Sequence, residues 1–219
     1  MELDPTPQTK RGYQRHEKIL DAAKQVFVEQ GYARASVNQI VKRSGGSLGT
    51  VYKFFGNKLG LFEAFFQKAT CEAFADFEEK GLWVDDLPTS LRNFGRQLQH
   101  MIFEPDALAI YRLVLTEQGA DQAEIQRIFM QYGPNRLNKI LSRFLSQQQA
   151  AGLLQIHDCE IAAFQFVEMI KGPLHFRALF GETLTPAQCD AVLEQAIQIF
   201  LQGAQPNAQQ NAQQGAQHD

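Results

Sequence analysis

The sequence predicts an all-α fold. Apolar residues recur every three or four positions in one segment after another up to about Gly203, which is the spacing of a buried helical face. No segment shows the alternation of apolar and polar residues that predicts a half-buried strand. Glycine and proline separate these segments, and a hydrophobic content of 44% in 219 residues is enough for a substantial core.

The N-terminal part of the chain is expected to form three helices. The first runs from His16 to Gln30, with an apolar face at helical spacing, and ends at Gly31. The second begins after Ser36, a good N-cap residue, and ends at Gly45-Gly46. Together with a third helix, these segments would enclose a small apolar core.

The third helix begins after Ser47, another N-cap residue. Its apolar side is expected to carry Leu48, Val51 and Phe55. Its outer side is then small, polar and basic, with Gly49, Thr50 and Lys53. Such a face suits a helix that enters the major groove of DNA, where little bulk and a cation near base edges are needed. An ordinary helical hairpin with solvated outer residues is the alternative.

Short motifs follow one another from residue 12 to residue 62. They are Lys18–Ala23, Phe27, Gly31-Tyr32, Ala35–Val37, Ile40-Val41, Ser44-Gly45, Gly49–Tyr52, Phe55, Asn57-Lys58 and Leu61-Phe62. Together they resemble the DNA-binding domain of the TetR family of transcriptional regulators. The resemblance implies an all-helical homodimer that binds a palindromic DNA operator, usually as a repressor. It also implies that the operator is released when a small molecule fills the C-terminal domain.

The same resemblance implies which residues bind DNA. Family members touch DNA at the positions of Ser36, Thr50, Tyr52, Lys53 and Lys58. Tyr52 and Lys58 lie at positions that typically contact phosphates. Ser47 and Gly49, at the start of the third helix, complete the predicted set. Phe54 departs from the family pattern, which often has a Tyr or His that reaches a phosphate there.

Charge is distributed unevenly along the chain. Residues 1–60 hold 10 Lys and Arg against 5 Asp and Glu, whereas residues 61–219 hold 11 against 19. Neutralisation of phosphates supplies the sequence-independent part of DNA affinity. A basic front on an acidic body therefore favours DNA binding through the N-terminal region and limits non-specific binding elsewhere.

Four regions are predicted along the chain. Residues 1–11 form a flexible N-terminal arm, 12–58 the helix-turn-helix DNA-binding domain, 59–203 the helical effector-binding and dimerisation domain, and 204–219 a disordered tail. The arm could lie along a groove or the DNA backbone, or serve only as a solubilising segment. The last region is rich in Ala, Gln and Asn and has no apolar periodicity.

The helical pattern continues after Lys58. A long fourth helix with a Phe-rich face is followed, after Gly81 and Pro88, by a helix with its own apolar stripe. A shorter helix lies between Pro105 and Gly119, and a long stretch from Ala120 to Ala151 is expected to kink at Gly133-Pro134. The segments Ile110–Glu117 and Leu153–Asp158 resemble the C-terminal domain of the AefR-like branch of the TetR family.

The last two helices predict a dimer interface. Cys159 to Leu179 is apolar on nearly every side, and a capping box from Thr185 to Gln188 opens the final helix. Wide apolar coverage needs a buried partner, and the same pair from a second subunit would make a four-helix interface. The predicted dimerisation residues are Val192, Ala196, Ile197 and Phe200. A fully internal hairpin is the alternative.

A small-molecule pocket among the middle helices is implied by the resemblance. Its predicted lining is Phe103, Tyr111, Phe164, Gln165 and Glu168. Apolar walls with a few polar groups are typical of such pockets, and Glu168 without a basic partner would favour a cationic hydrophobic ligand. The dimer seam or an internal polar network are alternatives for Gln165, Glu168 and His175.

Other function classes find little support in the sequence. Five histidines and three cysteines are too widely spaced for a metal or acid-base motif, and phosphate loops and nucleophile elbows are absent. We therefore expect no enzyme activity, no cofactor and no metal, and free thiols, although a thiol redox switch stays open. Without a signal segment or a membrane span, a cytoplasmic location is expected. A helical interaction module without specific DNA binding is the competing hypothesis.

Overall fold

The computed structural model describes residues 9–78 and 81–204 of the chain. Within these residues it has ten α-helices and no strand, which confirms the all-α prediction. The helices are α1 Lys10–Gln30, α2 Val37–Ser44, α3 Leu48–Phe55, α4 Lys58–Glu78, α5 Leu87–Phe103, α6 Pro105–Thr116, α7 Gln122–Tyr132, α8 Pro134–Ala150, α9 Cys159–Leu179 and α10 Pro186–Ala204.

The chain divides into two compact units. Unit 1 contains α1 to α3, α4 as far as Phe74, and the segment from Glu104 to Pro134 with α6 and α7. One apolar core joins α1 to α4 with α6 and α7, because Ile125 and Ile128 of α7 are fully buried in the same cluster as Phe27 and Phe62. The DNA-binding domain was predicted to end at residue 58. The core that holds α1 to α3 together nevertheless includes side chains of α6 and α7, more than forty positions further along the chain.

Among the described residues, unit 2 contains the end of α4, all of α5, and the chain from Asn135 to Ala204. Its aromatic core includes Trp83, whose ring centroid lies 4.0 Å from that of Phe144. Helices α5 and α10 approach closely at Gly95, where a Cβ atom would lie only 2.2 Å from Leu193 Cδ1. Unit 2 thus packs α10 against α5 at a position where only glycine leaves room.

Several helix limits differ from the sequence prediction. Helix α1 begins at Lys10 because Thr9 caps it, its hydroxyl accepting from Gly12 N at 3.1 Å, so Lys10 and Arg11 are helical rather than part of an arm. The stretch predicted as one kinked helix is two helices separated at Gly133. Helix α9 breaks at Gly172, where φ is 34° and ψ is −141°, before Pro173. The predicted arm up to residue 8 and the tail from 205 lie outside the described residues.

The predicted dimerisation residues require a correction. Ala196, Ile197 and Phe200 are only 3%, 4% and 8% exposed within the single chain, and Val192 is half-buried. The apolar stripe of α10 packs against its own chain, where the ring centroid of Phe200 lies 4.9 Å from that of Phe166. The large apolar side chains left exposed on α9, α10 and their junction are instead Ile161, Phe164, Phe176, Phe180 and Ile199.

Acid should destabilise the fold through His175. This side chain is 4% exposed, and burial, assisted by the charge of Lys171, lowers its pKa to about 4. The folded pKa of this histidine lies below its unfolded value of about 6.5. The free energy of unfolding is therefore unaffected by its titration above pH 6.5 and falls progressively as the pH drops towards 4. Urea denaturation should show that the unaltered protein loses about 2–3 kcal/mol of unfolding free energy through His175 between pH 7.5 and 4.5, and that His175→Phe does not lose it.

Exposed His157 offers a matched control for this measurement. His157→Phe should retain the acid sensitivity of the unaltered chain, since this ring is not buried. An equal pH dependence in the unaltered protein and in His175→Phe would contradict the assignment.

Candidate nucleic-acid interface

Local hydrogen bonds define both ends of α2, as predicted. Ser36 and Gln39 form a capping box in which Ser36 N donates to Gln39 Oε1 at 2.8 Å and Gln39 N donates to Ser36 Oγ at 3.3 Å. The helix ends at Gly45 in the left-handed region, with φ of 70°. The Ser36 hydroxyl therefore already has a structural role in capping α2. Its contact with DNA stays a prediction.

Helix α3 presents a small polar face at its beginning. Ser47 caps the helix by accepting from Thr50 N at 3.2 Å, and the two hydroxyl oxygens lie 2.9 Å apart. Val51 and Phe55 are buried, as predicted, whereas Leu48 is 38% exposed. Leu48 was expected in the core, but it lies in the first turn, where it remains open to solvent. Gly49 is also open, since a Cβ atom there would meet nothing within 4 Å.

The other predicted residues on α3 are accessible to a ligand. Tyr52 is 49% exposed, Lys53 is exposed, and Thr50 is half-buried. The structure therefore brings Ser47, Gly49, Thr50, Tyr52 and Lys53 together on one short helix. Such a face provides a hydroxyl, a phenol and a cation beside a glycine that permits close approach.

Lys58 lies at the start of α4 and binds the turn between α1 and α2. Its Nζ donates to Tyr32 O at 2.9 Å and to Ala35 O at 3.1 Å, and it lies 4.1 Å from the centroid of the Tyr32 ring. An ammonium group has three donors, so two are occupied within the protein. The predicted phosphate contact of Lys58 stays a prediction that relies on the remaining donor.

Tyr32 links the same turn to the segment between α6 and α7. Its hydroxyl donates to Asp121 Oδ2 at 2.5 Å. Burial, followed by this hydrogen bond and the charge of Asp121, raises the pKa of Tyr32 well above its ordinary value. The phenol is therefore a neutral donor at physiological pH. Sequence reasoning missed this contact, because its two residues are 89 positions apart.

Phe54 packs against α1 and has no polar contact to offer. The His16 ring centroid lies 5.5 Å from that of Phe54 and 4.8 Å from that of Phe55. Burial lowers the pKa of His16 despite the neighbouring carboxylate of Glu17. The departure from the family pattern at Phe54 thus places an apolar contact where relatives often have a polar one.

The predicted ligand pocket is not assembled on α9. Phe164 is 41% exposed, Gln165 and Glu168 are also exposed, and Glu168 Oε1 accepts from Lys171 Nζ at 2.5 Å. The predicted preference for a cationic ligand assumed that Glu168 has no basic partner. That assumption is wrong, because Lys171 lies one helical turn away and pairs with Glu168. Of the other two, Phe103 lies near His175 in unit 2, with ring centroids 6.4 Å apart, and Tyr111 contacts Phe129 in unit 1 at 4.9 Å.

Comparisons with known proteins identify the family to which the chain belongs. The sequence pattern described as bacterial regulatory proteins of the tetR family matches residues 19–65. The pattern described as the C-terminal domain of AefR-like transcriptional repressors matches residues 89–203. The chain belongs to the TetR family of transcriptional regulators. It is a member with an N-terminal helix-turn-helix domain and an AefR-like C-terminal domain.

Individual proteins are similar to this chain over different lengths. The uncharacterized HTH-type transcriptional regulator YvkB of Bacillus subtilis is 24% identical over 189 residues, covering 86% of this chain and 96% of YvkB. The solved structure of the flavonoid-responsive regulator FrrA has a TM-score of 0.79 and 29% identity, covering 90% of this chain and all of FrrA. The A-factor receptor protein of Streptomyces griseus is 30% identical over 90 residues, 41% of this chain and 32% of that protein.

Among residues 9–78 and 81–204, no helix is both long and apolar enough to span a bilayer.

Proposed function

We propose that this TetR-family protein is a repressor that binds a palindromic operator as a homodimer and releases it when a small molecule binds. The observation that carries the proposal is the exposed face of α3, with Gly49, Tyr52 and Lys53, held by buried Val51 and Phe55 on a three-helix core. A helix supported in this way can enter the major groove with its N-terminal residues at the bases.

The roles of the proposed DNA contacts differ. Thr50 and Lys53 are the residues suited to base edges, because a hydroxyl and a cation on one helical face match the acceptors of the major groove. Tyr52, Ser36, Ser47 and Lys58 are suited to phosphates, which orient the protein without reading sequence. Gly49 lets the backbone of α3 approach the groove closely.

Dimerisation through α9 and α10 is supported by exposed apolar side chains. Ile161 and Phe164 lie on one face of α9, Phe176 and Phe180 follow its break, and Ile199 lies on the outer side of α10. Large apolar side chains exposed on neighbouring helices mark a candidate interface, and an isologous two-fold contact would bury them on both protomers.

The effector is proposed to be an aromatic molecule that carries a hydrogen-bond donor. Unit 2 has an aromatic interior in which Asn138 is 5% exposed, and its Oδ1 meets no donor among the described residues. A buried acceptor without a donor is unfavourable, so a ligand hydroxyl near Asn138 would gain affinity there. The name of the similar regulator FrrA, which is flavonoid-responsive, supports this class of ligand.

A gel-shift titration with the DNA upstream of its own gene tests the proposal. Specific binding should exceed binding to a shuffled DNA of equal length by at least about a thousandfold at physiological salt, and should weaken steeply as salt is raised. Equal affinity for both DNAs would favour the competing hypothesis of a helical interaction module.

A further inference from the structure

A groove in unit 1 lies between the end of α1, the turn that follows it, and α6. It encloses about 420 Å³ and is open to solvent, which is within the size range of small-molecule sites. Its walls are apolar at Val28, Ala109 and Leu113, and charged at Glu29, Arg34, Arg112 and Glu117. Nothing in the DNA-binding surface or in the effector proposal uses this groove.

Glu117 is the unusual member of this lining. The residue is 5% exposed, and Oε1 accepts from Gly119 N at 2.7 Å. Among the described residues Glu117 forms no salt bridge, and its Oε2 accepts no hydrogen bond from the protein but keeps contact with solvent in the groove. Glu29, on the same groove, differs because Arg43 binds both of its carboxylate oxygens at 2.9 Å.

A carboxylate that is largely, though not fully, shielded from water is stabilised by a positive charge or by additional donors. One backbone amide leaves most of the acceptor capacity of Glu117 unused. The groove gives a ligand access to this carboxylate, while Val28 and Leu113 offer contact for a short aliphatic chain. The guanidinium of Arg34, positioned by donation from Nε to Gln30 O at 3.0 Å, lies on the same lining and can attract an anionic group.

We propose that this groove binds a small molecule that carries a protonated amine, with the ammonium group donating to Glu117. A carboxylate at the other end of the ligand strengthens binding through Arg34, so amino-acid-like zwitterions bind best. The site is separate from the effector site proposed near Asn138. Its test needs no DNA, so its failure and the failure of the proposed repressor function are distinguishable.

Calorimetric titration of the full chain with three five-carbon probes tests the proposal. Pentylamine and 5-aminopentanoate are expected to bind, the second more tightly, and pentanoate, which lacks the ammonium group, is not. Glu117→Gln keeps the acceptor for Gly119 N but removes the charge, and should weaken amine binding at least tenfold. Ala109→Leu fills the groove from α6 without altering Glu117 and should weaken it similarly.

Glu124→Gln is the matched control, since Glu124 is an exposed carboxylate on α7 that pairs with Arg127. This variant should bind the amines as the unaltered protein does. The proposal is overturned if neither amine binds at about 10 mM, or if pentanoate binds as tightly as pentylamine. Unchanged amine affinity in Ala109→Leu, or in a Glu117→Gln protein with native circular dichroism, also overturns it.

Discussion

Replacing Ile197 with aspartate is expected to unfold the protein, whereas replacing Ile199 with aspartate should leave the fold intact and separate the proposed dimer. The two isoleucines lie two positions apart on α10 but are 4% and 51% exposed. A carboxylate at position 197 would enter the core that α10 forms with α5 and α9 and lose the apolar contacts of isoleucine, a cost of more than about 4 kcal/mol. At position 199 the same carboxylate faces solvent in the protomer and is buried only in the proposed interface.

Circular dichroism and light scattering at micromolar concentration separate these outcomes. Ile197→Asp should lose helical signal or aggregate. Ile199→Asp should keep the native spectrum, scatter as a monomer and bind the operator far more weakly, because a palindrome needs two linked recognition helices. A folded Ile199→Asp protein that remains dimeric would place the interface elsewhere.

Loss of both Thr50 and Lys53 should nearly abolish the preference for the operator. Both side chains lie on the face of α3 opposite buried Val51 and Phe55, so alanine at either position leaves the core untouched. Each lost base contact costs about 1–3 kcal/mol of discrimination. Lys53→Ala should in addition reduce the slope of affinity against salt by about one if its ammonium meets a phosphate.

Tyr52→Phe and Lys139→Ala complete this comparison. Removal of the Tyr52 hydroxyl should lower affinity for operator and shuffled DNA alike, as expected for a phosphate contact. Lys139 is an exposed lysine of α8, and its loss should leave operator binding unchanged. Full operator affinity in a Thr50→Ala/Lys53→Ala double variant with native circular dichroism would show that α3 does not read the DNA.

Local patterns in the sequence predicted local structure well. Ser36 caps α2, the capping box at Thr185 is formed, and Gly45 ends α2 in the left-handed region. These features depend on residues within one helical turn, so their spacing along the chain carries the necessary information. The same holds for the buried positions Val51 and Phe55 of α3.

The errors arose where a helical face had to be assigned a partner. Apolar periodicity showed that one side of α10 is buried, but it could not show that its own chain covers Ile197 and Phe200. On α9, the composition suggested burial all round, whereas the helix breaks at Gly172 and leaves Phe164 exposed. The contact between Tyr32 and Asp121 depends on tertiary folding and had no local signal.

The shared core of unit 1 limits how this regulator can be recombined with its relatives. A chimera that takes residues 12–58 from another family member would pack a foreign α1 against the native Ile125 and Ile128. It would also need a hydroxyl at position 32 to donate a hydrogen bond to Asp121. Domain exchange at the end of the helix-turn-helix motif therefore cuts through a single core of packed side chains. Exchange of residues 104–134 together with the N-terminal helices would transplant an operator specificity along with the core that supports it.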